Sequence, residues 1–282
     1  MNHGCKSYSI CIRYSAALNA HPKISVITVV RNGMPFVAQT IDSVLAQKYP
    51  AVEYIVIDGI SSDGTIDIIK SRQAKIAHWI SEKDHGIADA FNKGLDAASG
   101  DYLLFLNSDD ALANDAVLAN MAEQIVQNEF PSLIYGDCDV LVRASGNKMY
   151  HAAIEFSYAG LRRGNMPPHP SLFAHRSYFE KYGKFDIQFK IAMDFEWFLR
   201  GILTERIVHV PLLVTNVRAG GMSTLNKNGV VVEIVSALKK NGYIGSRWEI
   251  LWVKSYFFTR SMAKAILKLL GLYNVFDYFK HK

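Results

Sequence analysis

Cysteine is scarce in this chain. Cys5, Cys11 and Cys138 form an odd set with no CxxC spacing, which offers neither a disulfide framework nor a thiolate zinc site. Long apolar runs are also missing. A membrane-spanning helix needs roughly 18 uninterrupted apolar residues, and Lys254, Arg260, Lys264 and Lys268 break up the most apolar part of the C-terminal region. Residues 1–22 lack the positive start, apolar stretch and small-residue cleavage site of a secretory signal, because Lys6 and Arg13 are scattered through mixed sequence. A loosely ordered extension in a reducing, cytoplasmic setting is therefore expected. The main body also lacks positive excess: the chain carries +5 overall, but Lys239 to Lys282 holds nine Lys or Arg against only Glu249 and Asp277. That distribution speaks against nucleic acid as a partner and for an anionic surface beside the tail.

What is present is enough to bury a sizeable core, since half of the 282 residues are hydrophobic and a fifth are charged. From Lys23 onward, β-branched runs alternate with helical periodicity, the pattern of a βαβ series. Ile24 to Val30 reads as a strand, and Pro35 can open a helix with Val37, Ile41, Val44 and Leu45 on one stripe. The cycle repeats with strand Tyr54 to Ile57, helix Ile66 to Ser71, strand Ala77 to Ile80 and helix Ile87 to Ala98. Tyr102 to Leu106 is apolar enough for a buried strand. A helix bearing Leu118, Met121 and Ile125 and a strand from Leu133 follow. Beyond Gly136 the regularity fades, with a hairpin turn at Ser145 to Asn147, and this half is expected to shape an acceptor site rather than to extend the sheet.

In open α/β sheets ligands bind outside the carboxyl ends of the strands, which directs attention to four polar segments. Asp58 opens Asp58-Gly59-Ile60-Ser61-Ser62-Asp63-Gly64-Thr65, where a carboxylate can meet a base or ribose; an ordinary turn with Asp63 as a cap is the simpler reading of these residues alone. Asn107-Ser108-Asp109-Asp110 follows the buried strand. Its adjacent carboxylates favour a hard divalent cation, with helix capping as the alternative. Ser81 to Gly94 runs from a loop into a helix, placing Asp89, Asn92 and Lys93 on one face near a helix N-terminus, equally suited to phosphate or to solvent. Finally, Asp194 stands at a helix start beside Phe195, Phe198 and Leu199. An apolar setting can raise a carboxyl pKa and suit it to proton removal, although a cap is the plainer reading.

In this order the segments resemble the family-2 glycosyltransferases with the GT-A fold, particularly the bacterial polysaccharide and lipopolysaccharide branch, over about Lys23 to Thr224. The specific portions are Thr28 to Gly33, Val56 to Thr65, Asp84 to Gly94 and Leu106 to Asp110. The resemblance implies an α/β fold with a mostly parallel central sheet flanked by helices. It divides the chain into an extension (1–22), the transferase domain (23–225) and a C-terminal helical, basic amphipathic segment (226–282). It places Thr28, Asn32 and Asp58 along the nucleotide. Asp84 and Asp89, with Asn92, Lys93, Asn107 and Ser108, would contact the rest of the donor. Asp109, supported by Asp110, would hold Mg²⁺ or Mn²⁺ in an Asp-x-Asp variant, and Asp194 would be the catalytic base, with Met193 where the family has glutamate. His169 is similar to an acceptor-side histidine, and Gly220, Gly221 and Ser223 to a loop that folds over the diphosphate.

The implied activity is inverting, metal-dependent hexosyl transfer from a nucleotide sugar, a UDP-sugar foremost, to a glycan or polyprenyl-linked acceptor in cell-surface polysaccharide biosynthesis. A sugar nucleotidyltransferase and a non-catalytic nucleotide-sugar-binding protein are the competing readings. The tail mixes Trp252, Tyr256, Phe257 and Phe258 with spaced cations, which suits either peripheral attachment to the inner face of the cell membrane or packing on the domain.

Overall fold

The computed structural model describes residues 21–142, 145–153, 156–221 and 226–269. The expected extension and Ser223 lie outside them, apart from the last two residues of the extension. Strand β1 (Ile24–Val30) is buried along nearly its whole length because it has parallel neighbours on both sides. Ile27 pairs with Ile55 of β2 (Val52–Asp58) and with Phe105 of β4 (Tyr102–Phe105), and β3 (His78–Ser81) lies outside β2. Parallel strands need crossovers, supplied by α1 (Val37–Leu45), α2 (Thr65–Arg72) and α3 (Ile87–Ala97).

The region beyond Gly136 extends the sheet, contrary to expectation. After β5 (Ala111–Leu112) and α4 (Val117–Gln127), β6 (Leu133–Leu141) runs through Gly136 and turns at residues 145–147 into β7 (Lys148–Ala152). Following α5 (Tyr158–Leu161), β8 (Leu172–His175) inserts antiparallel between β4 and β6, and β9 (Ile207–Arg218) lies parallel to β6. The order is β3-β2-β1-β4-β8-β6-β9-β5, with β7 on β6. The sheet is thus parallel in its first half and mixed in its second.

Two features keep the strand that begins at Leu133 from reading as one beyond Tyr135. Gly136 is there because a Cβ would lie 2.5 Å from the Leu212 carbonyl oxygen of the adjoining β9. Asp137 and Asp139 interrupt the apolar run, but each has a partner across the strands: His209 lies 2.8 Å from Asp137, and His151 and Lys148 lie 2.7 and 2.9 Å from Asp139.

Helices cover both faces. One core layer joins α3 with α6 (Arg176–Tyr182) and α7 (Met193–Gly201), where Trp197 stacks on Phe179 at 4.5 Å; the other layer lies under α1 and α4. The C-terminal segment joins the first layer. Ile234, Val235, Ala237 and Leu238 of α8 (Lys227–Lys240) are buried there, as is Val253 of α9 (Arg247–Leu269).

At the edge where β1 and β2 begin, Glu53 ties the strands to the loop before β4. Burial pushes its carboxyl pKa up, but the Ser25 hydroxyl, the Ser99 N–H and hydroxyl and the Lys23 ammonium together outweigh that and hold it at about 2. A carboxyl depressed on folding stabilises fully above its ordinary value of 4.5 and loses that contribution as pH falls toward 2. Glu53→Gln should therefore lower the melting temperature most near neutral pH, with the gap to wild type closing between those two values. A gap that does not change with pH would contradict this.

Candidate active site

The strand register brings the carboxyl ends of β1, β2 and β3 to one rim: Val30 is level with Asp58, and Asp58 with Ser81. Asp58 is completely buried. Its Oδ2 accepts from the Ser61 N–H (3.0 Å) and the Ser81 hydroxyl (2.6 Å), whereas Oδ1 is enclosed with no hydrogen-bond partner. An unsatisfied, buried carboxylate oxygen is costly and calls for a donor. The loop over it is braced by Asn32, whose side-chain oxygen accepts from the Ser62 N–H at 2.9 Å. Within that loop Ile60 adopts φ 59, a conformation costing a β-branched residue about 1–3 kcal/mol. Strain of this kind clusters at ligand-binding sites.

Asp84 lies against Gly59, where a Cβ would overlap its carboxylate, and its other oxygen accepts from Gly86 N–H at 2.9 Å. Asp89 holds the same turn by accepting from His85 N–H at 2.9 Å, the main reason its carboxyl sits below the usual range. Asn92 and Lys93 do not present a phosphate-binding face. Asn92 is bound at both ends of its amide to the backbone of Phe185 (2.9 and 3.0 Å), and Lys93 donates to the Lys83 carbonyl and pairs with Glu82. Thr28 is also corrected. It is fully buried on the face of β1 opposite Ile27, with Tyr54 donating to its hydroxyl at 3.2 Å, so it supports the strand beneath the rim.

β4 ends beside β1, with Leu106 N–H donating to Ile27 at 2.9 Å, and delivers Asn107, Ser108 and Asp109 to the same rim. Asp110 faces inward: Asn107 donates to one oxygen at 2.8 Å and Arg218 N–H to the other at 2.9 Å. Asp110 therefore braces the turn, and Asp109 beside it is half-buried. Among the described residues no cage of three or more His, Cys, Asp or Glu exists. Mg²⁺ commonly binds through one or two carboxylates with substrate phosphates completing its shell, and the residues here fit that mode.

Because β8 runs antiparallel, its start lies on this rim too. His169 stacks over Phe105 at 5.7 Å, edge-on to Phe91 and Phe185, and its buried Nε2 has no partner. Burial lowers its pKa, and the opposing pull comes from Asp194. Asp194 occupies the first turn of α7, half-buried, and accepts from Phe195 N–H at 2.8 Å. Lys190, just upstream, donates through Nζ to the His85 carbonyl at 2.9 Å, linking the Asp84 loop to α7. At the end of β9 the Arg218 guanidinium lies 4.3 Å over the Phe36 ring and donates to Gln39, after which Gly220 and Gly221 lead off, with open space around Gly221.

Arg218 has no signal in the sequence, because a lone arginine at a strand end carries no pattern of its own, and Ser81, inside the Ser81 to Gly94 segment, has none that marks it as a partner of Asp58. Asp84 meets the loop after Asp58 at Gly59, and His169 stands against Phe105 at the end of β4 and is near enough to Asp194 to feel its charge.

The sequence profile of glycosyl transferase family 2 matches residues 25–183. A glycosyltransferase of Mycobacterium tuberculosis is 35% identical over 66% of this chain and 71% of its own length. A PGL/p-HBAD biosynthesis glycosyltransferase of Mycobacterium bovis is 27% identical over 84% and 92% respectively. Among solved structures, S. aureus TarS 1-349 in complex with UDP-GlcNAc superposes with a TM-score of 0.61 at 16% identity, covering 83% of this chain and 70% of that one. The mannosyltransferase PcManGT of Pyrobaculum calidifontis, in complex with GDP-Man and Mn²⁺, gives 0.60 at 18% identity, covering 89% and 76%. These two similarities concern the fold.

Proposed function

Since the chain belongs to glycosyl transferase family 2, we propose that it is an inverting enzyme transferring a hexose from a uracil- or thymine-containing nucleotide sugar to a hydroxyl of a glycan or lipid-linked acceptor. The unpartnered Oδ1 of Asp58 carries this reading. Guanine presents two adjacent donors, which a carboxylate meets best with both oxygens open, but Oδ2 already takes Ser61 and Ser81. A pyrimidine dione offers a single N–H, matching the single free acceptor.

Asp84 and the Asn107 turn face the remainder of the donor, and Asp109 is the residue to hold Mg²⁺ or Mn²⁺ with the diphosphate. Such a cation, when bound, neutralises charge on the leaving group. Asp194 removes the proton of the acceptor hydroxyl. The hydroxyl oxygen forms its bond to the anomeric carbon while the bond from that carbon to the phosphate oxygen breaks, and the electron pair leaves with the nucleoside diphosphate. One displacement inverts the anomeric centre. Support for the donor class comes from the UDP-GlcNAc complex of TarS, and support for the cation from the Mn²⁺ bound with GDP-Man in PcManGT, whose base differs from the one proposed here. Hydrolysis and transfer across a panel of UDP-, dTDP- and GDP-sugars with Mg²⁺ or Mn²⁺ tests the reading. UDP- or dTDP-sugars should react, and a preference for GDP-sugars would overturn the base assignment.

For location we propose the cytoplasmic face of the membrane in polysaccharide assembly. No helix among the described residues is long and apolar enough to cross a membrane. α9 instead packs inward through Ile250, Val253 and Phe257 while exposing Trp248, Leu251, Trp252, Phe258, Met262 and Ile266. That outward face, with Arg247, Lys254 and Arg260 on the same helix, suits an anionic interface. The chain should co-sediment with phosphatidylglycerol vesicles and not with phosphatidylcholine ones, and Trp248→Ser with Phe258→Ser should weaken the association. Wild-type protein that stays in the supernatant with both would sink the membrane reading.

A further inference from the structure

α7 begins without a cap of its own. The residue before it, Ala192, has no side-chain acceptor, and the three backbone amides that lead into the helix, those of residues 190–192, need a partner of their own. They find one on a different helix. Glu233, in the middle of α8, accepts from three consecutive backbone amides: Lys190 N–H to Oε1 at 3.0 Å, and Ile191 and Ala192 N–H to Oε2 at 2.9 and 2.8 Å. Three successive amides converging on one carboxylate form a backbone anion nest, filled here by the protein itself. The nest ends two residues before Asp194.

The same segment is held from the donor side, because Lys190 Nζ donates to the His85 carbonyl next to Asp84. Residues 190–192 thus bridge the Asp84 loop and Asp194, and Glu233 is the charged anchor that sets their path. A separate pair of contacts docks the far end of α8: Lys240 bridges Asp186 at 2.7 Å and Glu196 of α7 at 3.0 Å. With that end fixed independently, Glu233 is left to orient the start of α7.

We infer that Glu233 is a positioning residue for catalysis, holding the first turn of α7 so that Asp194 meets the acceptor hydroxyl. This rests on the assignment of Asp194 as the base. Misplacing a reacting group by about 1 Å can lower a rate about 10²-fold, so Glu233→Ala should reduce kcat on that order. Its KM and Kd for the nucleotide sugar should stay within about two-fold of wild type, because the Asp84 loop keeps its own contacts, Gly86 N–H to Asp84 and His85 N–H to Asp89, when the Lys190 link shifts. Glu233→Gln keeps one acceptor oxygen for Ile191 and Ala192 but turns an NH₂ toward Lys190 N–H, and its kcat should fall between those of Ala and wild type.

The deciding test is a double-mutant cycle with Asp194→Asn, reading kcat, donor Kd by calorimetry and melting temperature on the full chain. A residue acting through Asp194 adds no further loss once Asp194 is Asn. The inference is overturned if the two losses multiply, or if Glu233→Ala weakens donor binding in parallel with kcat. Failure of the base assignment looks different: Asp194→Asn alone would then keep wild-type kcat, whatever Glu233 does.

Discussion

Replacing Asp194 by Asn is expected to slow sugar transfer by about 10²–10⁴-fold, the contribution typical of a positioned general base, while nucleotide-sugar affinity stays close to wild type. The geometry explains the split. Asp194 sits on α7 near His169, whereas the groups proposed to meet the base and diphosphate belong to β2, the Asp84 loop and the β4 turn. Asn keeps the shape of the side chain and can still accept from Phe195 N–H, so α7 should fold as before. It cannot take a proton. Paired measurement of kcat and donor Kd checks this. A binding protein without activity would show no transfer to lose, and a nucleotidyltransferase would release nucleotide sugar from a sugar phosphate and a triphosphate. Either finding would remove the transferase mechanism.

Asp58→Asn should have the next largest effect, on binding. The Ser61 N–H and Ser81 hydroxyl both need an acceptor, so they will hold the amide oxygen in the place of Oδ2. That leaves the NH₂ in the position of Oδ1, confronting the N–H of a pyrimidine dione with another donor. Losing a hydrogen bond to a charged group and leaving a buried donor unmet costs about 2–3 kcal/mol, or roughly 30- to 150-fold in Kd. Folding should change little, since Asn preserves both contacts within the protein. Calorimetry of UDP binding to Asp58→Asn checks it, and an unchanged Kd would show that the base binds elsewhere.

Much of this rim can be read directly from the chain. β4 is an uninterrupted apolar run and β1 and β2 are rich in β-branched residues, and the acidic residues at or just past the ends of β2 and β4 fall at the carboxyl ends of a parallel sheet, where ligands collect. What was misread follows from geometry that sequence spacing does not carry. Thr28 lies in the strand and not after it, and the two-residue period of β1 turns it under the sheet toward Tyr54. Asn92 and Lys93 do sit near the start of α3, but their partners, Phe185 and the Lys83–Glu82 turn, can be known only once the chain is folded. Asp110 looks equivalent to Asp109 in sequence, yet Arg218, 108 positions away, draws it inward. Glu233 was hidden most fully. Its three partners are backbone amides, and no side-chain pattern marks an amide in need of an acceptor.

Calorimetric titration of UDP into the intact protein, in Mn²⁺ and then in EDTA, bears most directly on whether the acidic rim is a nucleotide-diphosphate site. Saturable one-to-one binding in Mn²⁺, strongly weakened by EDTA and by Asp109→Ala, is the expected result. Absence of binding under every condition, or tight binding indifferent to both EDTA and Asp109, would contradict it.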